Sequence, residues 1–572
     1  MKYIFCFLVT VLTFLSASAQ SGKSVNSRTI KVEEQYLNLP VRTGAKGEHL
    51  DIYYKGKKVR EILIELDGEK PDFWVNLDMS EWKGGNIDIK AEDATAAKYL
   101  GDLYQSKSPA GKETFYKEPL RPKYHFTATR GWFNDPNGMV YSEGKWHLFF
   151  QHNPYGWNWN NMTWGHAVSS DLMHWTETGD AIHPDEKGTI FSGSAIVDRE
   201  NVLGLQKGNI KTLVAYFTYA GNSGHNWSKD AKTVQAMAYS TDNGKTWVKY
   251  AKNPVIPNLY GDNRDPKAVW DESGKQWIMA LYLGDANPEH AFALFSSKNL
   301  IDWKEIQRFT VEGERECPDF FPIKVEGTNE TKWLFTGANK VYVIGDFVNN
   351  KFTPITKPKH LDRGNNYYAA QTFFNTPEKN VIQIGWMAGC NFPKMPFNQQ
   401  ISFPREIKLF KDGDNYTAKC MPVKEIAALF SSSHFSVSKK NLSTDDNPTT
   451  NYTGDSYVLD AVFDVNDSKG DGFGFLLDGF EVYYSIKNKK LIFNATGMDK
   501  KEIDLTPDNG KVSFRILADI GSFEVFANNG EVAAAFAYLP VIKTNKVTTI
   551  IRGERVVMDN LSINEIGSTW NK

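Results

Sequence analysis

Cysteine is scarce in this sequence, with only four among 572 residues. Cys6 lies in an apolar amino-terminal segment, and the others are Cys317, Cys390 and Cys420. Three cysteines in the rest of a chain this long do not form a disulfide framework. They leave room for one bridge, and their spacing does not show which pair would form it. The sequence also contains no Cys-x-x-Cys or His-Glu-x-x-His motif.

Neither sign of charge is in excess. The sequence has 66 lysines and arginines against 68 aspartates and glutamates, a formal net charge of -2. This balance lacks the basic footprint of a nucleic-acid-binding protein. Six of the eleven histidines lie between His125 and His183, but none has a metal-ligand spacing with a nearby carboxylate. We therefore predict no catalytic metal and no cofactor.

Long hydrophobic runs are missing beyond the first 19 residues. Within that segment Lys2 supplies a positive start, residues 3–15 are mostly apolar, and Ala-Ser-Ala at 17–19 is a small-residue cleavage site. The run is too short to span a membrane. We predict a signal peptide at residues 1–19, an exported protein (periplasmic or secreted) and no transmembrane segment.

Helical periodicity is almost absent, and short runs with period two indicate strands instead. A chain of this length is expected to contain about two to four domains. We assign a small β domain to residues 29–104 and a polar linker to 105–120. A long series of short strands follows over 121–422. After a boundary rich in Ser, Thr, Asn and Asp at 431–454, residues 455–572 show the alternation of a β-sandwich.

A weak repeat occurs in the long middle segment. A polar turn that begins with Ser and precedes a Trp is found three times, ending at Trp175, Trp247 and Trp303. Repeats of this size with several strands each are typical of propeller blades. About 300 residues at about 60 per blade predict roughly five blades, within the usual range.

Three acidic loops in this segment are the candidates for chemistry. Residues 131–138 read Gly-Trp-Phe-Asn-Asp-Pro-Asn-Gly, which predicts a tight turn that holds Asp135 rigidly. Asp265 follows Arg264 and precedes a Pro, and Glu316 precedes Cys-Pro and two aromatic residues. Since a propeller brings the same end of every blade to one central funnel, we expect the three carboxyl groups to converge there.

The ordered motifs resemble those of glycoside hydrolase family 32, which includes invertases, levanases and inulinases. The motifs are Trp-Phe-Asn-Asp-Pro-Asn-Gly at 132–138, Phe-Ser-Gly-Ser at 191–194, Arg-Asp-Pro at 264–266 and Glu-Cys-Pro at 316–318. The resemblance spans about residues 121–410 and continues more weakly through Arg-Ile-Leu at 515–517 and Ser-Phe-Glu-Val-Phe at 522–526. The amino-terminal β domain lies outside the family pattern, and its role stays open.

The resemblance implies an all-β fold, with a five-bladed β-propeller catalytic domain followed by a β-sandwich. It also implies retaining cleavage of β-fructofuranosyl linkages. Asp135 would be the nucleophile, Glu316 the general acid/base and Asp265 the transition-state stabiliser. Matching positions predict substrate contacts at Asn134, Gln151, Trp159, Trp164, Phe191, Ser192 and Arg264. A looser match adds Asp362, Tyr368 and Trp386.

Retention requires two carboxyl groups about 5 to 5.5 Å apart, one ionised and one protonated. Asp135, among turn amides and Asn134, is expected to stay charged. Phe320 and Phe321 are expected to pack on Glu316 and to favour its protonated form. Trp159 and Trp164 are the candidates for stacking on sugar faces.

Several alternatives stay open at the level of the sequence. A non-catalytic fructan-binding protein would not need all three acids. A fructosyltransferase would differ only in the acceptor, and an arabinofuranosidase on a propeller would not account for the 132–138 motif. The sequence does not choose β-2,6 from β-2,1 linkages and does not indicate an oligomeric state. The short loop after Asn153 and Pro154, with a family subsite for one sugar, favours exo over endo attack.

Overall fold

The computed structural model describes residues 26–284, 291–540 and 543–570. The predicted signal peptide lies outside the described residues. Within those three ranges, no helix is long and apolar enough to cross a membrane. The strands form a small amino-terminal β unit, a five-bladed propeller and a β-sandwich. The predicted fold class is confirmed.

The amino-terminal unit contains two sheets around one aliphatic core. Its strands are β1 (Ser27–Lys31), β2 (Tyr36–Val41), β3 (Glu48–Tyr54), β4 (Lys57–Ile64), β5 (Phe73–Asp78), β6 (Asn86–Ala91) and β7 (Tyr104–Ser106). One sheet has the order β1-β6-β3-β4 and the other β5-β2-β7. Short helices are α1 (Ala94–Ala97) and 3-10 turns at Ser80–Trp82, Leu100–Asp102 and Lys112–Thr114. Alternation along β3 and β6 buries one face of that sheet, as their period-two pattern predicts.

Five antiparallel sheets follow in chain order and form the propeller blades. The first blade has β8 (Gly131–Ser142), β9 (Lys145–Asn153), β10 (Thr163–Ser169) and β11 (Trp175–Ile182); the second has β12 (Thr189–Asp198), β13 (Thr212–Ala220), β14 (Val234–Ser240) and β15 (Val248–Lys249). The third has β16 (Arg264–Asp271), β17 (Gln276–Tyr282), β18 (Phe292–Ser297) and β19 (Lys304–Phe309). A 3-10 turn lies at Asn226–Ser228.

The fourth and fifth blades complete the ring. The fourth has β20 (Asp319–Lys324), β21 (Thr331–Thr336), β22 (Val341–Val348), β23 (Lys351–Pro354) and β24 (Lys359–His360); the fifth has β25 (Tyr368–Thr372), β26 (Val381–Trp386), β28 (Arg405–Asp412) and β29 (Asn415–Pro422). Between β26 and β28, β27 (Phe397–Asn398) pairs in parallel with β8 and links the fifth blade to the first. The first strands of neighbouring blades contact one another, so these five strands line the central channel.

The sequence repeat corresponds to the hairpin between the third and fourth strands of the first three blades. In each hairpin a Ser hydroxyl donates to an Asp or Asn two residues later, at 3.0, 2.7 and 3.2 Å: Ser169–Asp171, Ser240–Asp242 and Ser297–Asn299. The Trp then lies at or next to the start of the outer strand. The repeat therefore reports a shared turn chemistry.

The sandwich begins earlier than predicted. Its strands are β30 (Phe430–Val437), β31 (Lys440–Leu442), β32 (Tyr457–Asp464), β33 (Gly470–Leu477), β34 (Phe480–Ser485), β35 (Lys490–Asn494), β36 (Lys501–Asp504), β37 (Lys511–Asp519), β38 (Ser522–Ala527), β39 (Val532–Ala537), β40 (Val547–Gly553) and β41 (Val556–Ile566). A 3-10 turn at Lys424–Leu429 precedes them. Because β30 and β31 pair with β41, the first part of the polar stretch 431–454, up to Leu442, belongs to this sheet, and the predicted start at 455 is wrong.

A buried charge network joins the propeller to the sandwich. The ring nitrogens of His125 lie 2.9 Å from Asp519 and 2.8 Å from Glu524. Arg405 donates to Glu524 at 2.9 Å and to Asp362 at 2.7 Å. The five side chains are at most 1% exposed. Burial alone would lower the pKa of His125, but the two carboxylates raise it to about 9, so this histidine is a cation in the folded protein.

Candidate active site

Each first strand brings one polar side chain to the same end of the central channel. Asp135 lies on β8, Ser192 on β12, Asp265 on β16 and Tyr368 on β25, and Glu316 lies three residues before β20. Hydrogen bonds connect Ser192 with Asp135 and Tyr368 with Glu316. The radial architecture therefore gathers side chains that are far apart in the sequence, as the motif order predicted.

β-bulges direct these side chains into the channel. The pairing register shifts between Phe133 and Pro136, Phe191 and Gly193, Arg264 and Lys267, and Tyr368 and Gln371. The predicted tight turn at Asp-Pro-Asn-Gly is thus wrong, because these residues form a bulged part of β8. A bulge bends the strand and re-aims a side chain without ending the sheet. Gly193 is required at its bulge, since a Cβ there would lie 1.9 Å from the Tyr216 carbonyl oxygen.

Asp135 accepts hydrogen bonds from two neutral side chains. The Ser192 hydroxyl donates at 2.7 Å and the Asn134 amide at 3.1 Å, each to a different carboxyl oxygen. Asn134 is itself fixed by the Trp132 indole, which donates at 3.0 Å. Burial raises the pKa of the Asp135 carboxyl above its ordinary value, and the Ser192 and Asn134 bonds offset only part of this rise.

Cys317 lies between Asp135 and Asp265. Its backbone N–H donates to Asp265 at 3.0 Å, and its Sγ atom is 3.4 Å from Asp265 and 3.6 Å from Asp135. Burial is the largest cause of a rise in the pKa of Asp265 to about 7, opposed by Arg264 at 3.8 Å. Burial and the surrounding carboxylates also raise the pKa of the Cys317 thiol, so the sulfur is protonated and able to donate.

Glu316 is held by charged and hydroxyl donors. Arg264 donates to one of its carboxyl oxygens from Nη2 at 2.6 Å and from Nε at 3.1 Å. The Tyr368 hydroxyl donates to the other oxygen. The predicted packing of Phe320 and Phe321 on this carboxyl is not found. The Phe320 ring stacks on Trp333 at 4.6 Å, and Phe321 belongs to the propeller core.

Backbone strain is concentrated around these groups. Asp265, Glu316, Cys317 and Ala369 have φ values of 64°, 23°, 44° and 47°, in a region that residues with a Cβ seldom occupy. Such conformations persist where the surroundings over-determine them, and they cluster at functional sites. Glu314 is one determinant here, because its buried carboxyl accepts from the backbone N–H groups of Arg315, Asn339 and Val341.

Eight of the ten predicted substrate contacts lie at or beside this channel mouth. Asn134, Ser192, Arg264 and Tyr368 contact the acids directly, and the other four are Gln151, Trp159, Phe191 and Trp386. Gln151 is 2% exposed, and its Nε2 has no hydrogen-bond partner in the described part of the chain. The Trp159 and Phe191 rings meet edge to face at 6.0 Å, and the Trp386 ring lies 6.1 Å from Tyr368. Trp159 is 43% exposed, and its contact with Phe191 places it beside the mouth of the channel.

The remaining two predicted contacts are wrong. Trp164 is fully buried in a core cluster with Phe149 and Phe217, so no sugar can reach its ring. Its indole donates to the Phe191 carbonyl at 3.0 Å, which supports a channel residue from behind. Asp362 belongs to the buried network with Arg405 at the sandwich interface and has no exposed surface.

Sequence reasoning missed Cys317, Trp132 and Glu314 as residues that shape the site. Cys317 is adjacent to Glu316, and Trp132 lies two residues before Asn134. Both lie inside the family motifs, and this position was the signal that could have identified them. Glu314 carries no motif signal, since two of its three partners are backbone N–H groups of Asn339 and Val341, which are distant in the sequence. Cys317, Cys390 and Cys420 are all free, buried thiols, which answers the open question of a bridge.

The arrangement combines three carboxyl groups, one guanidinium and several neutral donors. Like charges in one buried site favour retention of a proton among the acids. When two carboxyl groups have different surroundings, one can attack as a nucleophile while the other donates a proton, as in the hydrolysis of glycosidic bonds. Among the described residues, no group of three His, Cys, Asp or Glu side chains has the geometry to hold a metal ion.

Comparison with known proteins agrees with this geometry. The model of the glycosyl hydrolases family 32 N-terminal domain matches residues 125–420, and the family 32 C-terminal model matches residues 425–550. A levanase of Bacillus subtilis is 37% identical over 506 residues, covering 81% of this chain and 72% of that protein. An extracellular exo-inulinase of Aspergillus ficuum is 30% identical over 523 residues, covering 80% of this chain and 96% of that protein.

A solved structure shows the same architecture. The crystal structure of exo-inulinase from Aspergillus awamori superposes with a TM-score of 0.72 at 29% identity, covering 80% of this chain and 100% of that one. The resemblance inferred from the motifs is therefore confirmed, and the chain belongs to glycosyl hydrolase family 32.

Proposed function

We propose that this family 32 enzyme is exported and releases fructose from β-fructans of the levan or inulin type, with retention through a covalent fructosyl-enzyme. Sucrose is a further candidate substrate. The observation that carries the proposal is the convergence of Asp135, Asp265 and Glu316 at one channel mouth, linked through Cys317 and Arg264. The levanase and exo-inulinase relatives support β-fructans as the substrate class.

Asp135 is the proposed nucleophile. Its carboxylate attacks the anomeric carbon of the terminal fructosyl unit, and the bond from that carbon to the leaving oxygen breaks. The donors from Ser192 and Asn134 are neutral, so they fix the carboxylate without forming an ion pair that would have to be broken during attack. Asp265, buried beside it, is placed to accept hydrogen bonds from sugar hydroxyl groups.

Glu316 is the proposed general acid and base. In the first step it gives its proton to the leaving oxygen, and in the second it takes a proton from the water that attacks the fructosyl-enzyme. Its side chain is 19% exposed, whereas that of Asp265 is 4% exposed, so Glu316 is the more accessible of the two carboxyl groups to a leaving group and to water. Arg264 and Tyr368 set its position before substrate binds.

Exo attack is the proposed mode. The opening is bordered on one side by Trp159 and Phe191 and on another by Trp386 and Tyr368. The loop between β9 and β10 covers residues 154–162 and carries Trp159. Free fructose as the first product would support exo attack, whereas oligosaccharides as first products would establish the endo alternative.

The test is product analysis on levan, inulin and sucrose with wild type beside Asp135→Asn and Glu316→Gln. We expect fructose from wild type and a loss of about 10³-fold or more in each variant, because each removes a group essential to one step. NMR of the first-formed anomer tests retention. Wild type that binds fructan without cleaving it would favour a binding protein, and fructosylated sugars at high sucrose would favour a transferase. Export is tested by sequencing the mature amino terminus, expected at Gln20.

A further inference from the structure

The amino-terminal unit lies outside both matched family models, yet it contacts the propeller at a defined point. β4 is the edge strand of its sheet, and an edge strand leaves backbone groups without sheet partners. At Leu63 the side chain of Asn161 replaces the missing strand partner. The Leu63 N–H donates to Asn161 Oδ1 at 2.8 Å, and Asn161 Nδ2 donates to the Leu63 carbonyl at 2.7 Å. Asn161 is 3% exposed, with a positive φ of 47°.

The same asparagine belongs to the rim loop, residues 154–162 between β9 and β10. Asn161 Nδ2 also donates to Asn153 Oδ1 at 2.9 Å, and Asn153 Nδ2 donates to the Asn158 carbonyl at 2.7 Å. Trp159 therefore lies between two fixed points of the loop. A second link runs from the Trp132 N–H, on the strand of Asp135, to the Gly156 carbonyl at 2.9 Å.

Glu61 provides a second anchor, two residues from Leu63 on the same strand. Its carboxyl oxygens accept from the backbone N–H groups of Asn226 and Trp227, at 2.6 and 2.8 Å, in the second blade. Burial would raise the pKa of Glu61, but hydrogen bonds from His49 and Lys58 lower it to about 2. The side chain has no exposed surface, and its charge is shared between this contact and the pairs with His49 and Lys58.

Open space lies on both sides of these two anchors. One cavity of about 660 Å³ is lined by Asp78 and Arg130, among others, and one of about 520 Å³ by Lys57 and Trp247. Each cavity has residues of both units in its wall. Tyr155, from the rim loop, lines the first of these cavities and packs into the core of the amino-terminal unit. The rim loop is thus fixed from the outside by a unit that does not itself carry the acids.

We propose that the amino-terminal unit positions the part of the site that binds the sugar on the leaving-group side, with Asn161 acting through Trp159. This inference rests on the proposed function. The fructosyl unit to be cleaved must lie deep, beside Asp135, so the next sugar lies at the mouth, where Trp159 is exposed against Phe191. An exposed aromatic face binds the C–H face of a sugar, and holding that ring in place lowers the entropy lost on binding.

The experiment is a double-mutant cycle between Asn161→Ala and Trp159→Ala, with kinetics on inulin and levan oligosaccharides. Asn161→Ala is expected to raise KM by about fivefold to tenfold and to change kcat less than twofold, because the acids keep their contacts. In the Trp159→Ala background, Asn161→Ala should cause little further rise in KM, because a positioning residue acts through the ring that it positions. Asp67→Asn is the matched control: this buried carboxylate of the same unit contacts Arg42 and its own loop.

The inference would be overturned if the effects of the two substitutions on KM were additive in the double variant, or if Asn161→Ala left KM unchanged. An equal change of KM in Asp67→Asn would also overturn it. Should Asn161→Ala fail to fold, Glu61→Gln enters the same cycle, with the same expectation and the same overturning results. Wild type without hydrolytic activity would refute the proposed function itself. Active wild type with an additive cycle would refute only the role of the amino-terminal unit.

Discussion

Nη2 of Arg264 lies 2.6 Å from Oε2 of Glu316, and Nε of the same guanidinium lies 3.1 Å from that oxygen. Two N–H groups of one rigid fork thus fix one carboxyl oxygen, while Nη1 is anchored on Asp262 at 2.6 Å. A fork of this kind gives geometric precision that an ammonium group lacks.

Arg264→Lys is therefore expected to lower kcat by about 100-fold while keeping the positive charge, because a misplacement of about 1 Å has an effect of that size. Steady-state kinetics on inulin measure this change in kcat, and the melting temperature shows whether the variant is folded. Arg308→Lys is the control, since Arg308 makes a similar fork to Glu305 on the surface, at 2.7 and 2.8 Å. Activity of Arg264→Lys within twofold of wild type would contradict the positioning role.

Ser192→Ala tests the neutral environment of Asp135. The Ser192 hydroxyl lowers the pKa of Asp135, so its removal raises that pKa. The acid limb of the kcat/KM profile reports the essential base of the free enzyme, and it should move to higher pH. Loss of a hydrogen bond to a charged group, about 1.5 to 3 kcal/mol, should lower kcat/KM about tenfold or more at neutral pH. An acid limb that stays in place or moves to lower pH would argue against Asp135 as the nucleophile.

The convergence of the three acids could be predicted from the sequence, because in a propeller it depends only on the position of each acid in its blade. Once the repeat is a propeller, Asp135, Asp265 and Glu316 fall at equivalent ends of different blades. The errors concern orientation, which is set by tertiary neighbours. Phe320 follows Glu316 by four residues, but β20 directs its ring between blades onto Trp333, so it does not reach the carboxyl.

The wrong substrate contacts have the same origin. Trp164 lies in a motif-matched segment, yet β10 places its ring between the first two blades, where Phe149 and Phe217 cover it. Asp362 has the residue type of a sugar ligand, but its partner Arg405 is 43 residues away in the chain. Neither local pattern nor spacing shows such a partner. The bulges that aim the acids are likewise invisible as sequence patterns.

The contrast between two tryptophans follows from their burial. Trp164→Ala is expected to lower stability by about 3 to 5 kcal/mol, because it empties a packed core site. Trp386→Ala, at a half-buried ring beside Tyr368, is expected to raise KM for fructans with a melting temperature close to that of wild type. Differential scanning calorimetry and kinetics on both variants separate the two effects. A stable Trp164→Ala enzyme with raised KM would restore this residue to the binding site.

Stability against pH should depend on His125, the cation of the propeller–sandwich network. Its pKa is raised from 6.5 to about 9 in the folded protein by Asp519 and Glu524, against the effect of burial. A raised folded pKa gives stability that is complete below pH 6.5 and is lost as pH rises through about 9. His125 lowers the pKa of Asp519, and Arg405 followed by His125 lowers that of Glu524, in both cases against burial. The contribution of these two carboxylates is therefore present above their unfolded pKa values and is lost as pH falls.

His125→Gln isolates the histidine contribution. Breaking one partner of a buried ionic network typically lowers stability by about 3 to 5 kcal/mol. The melting temperature of the variant should lie furthest below wild type near pH 6, and the gap should narrow between pH 6.5 and 9 as the wild-type cation titrates. His174→Gln serves as the control, because His174 pairs with Asp171 at a more exposed position. A gap that stays constant from pH 6 to 9 would mean that His125 stabilises the interface by packing alone and that its charge is not required there.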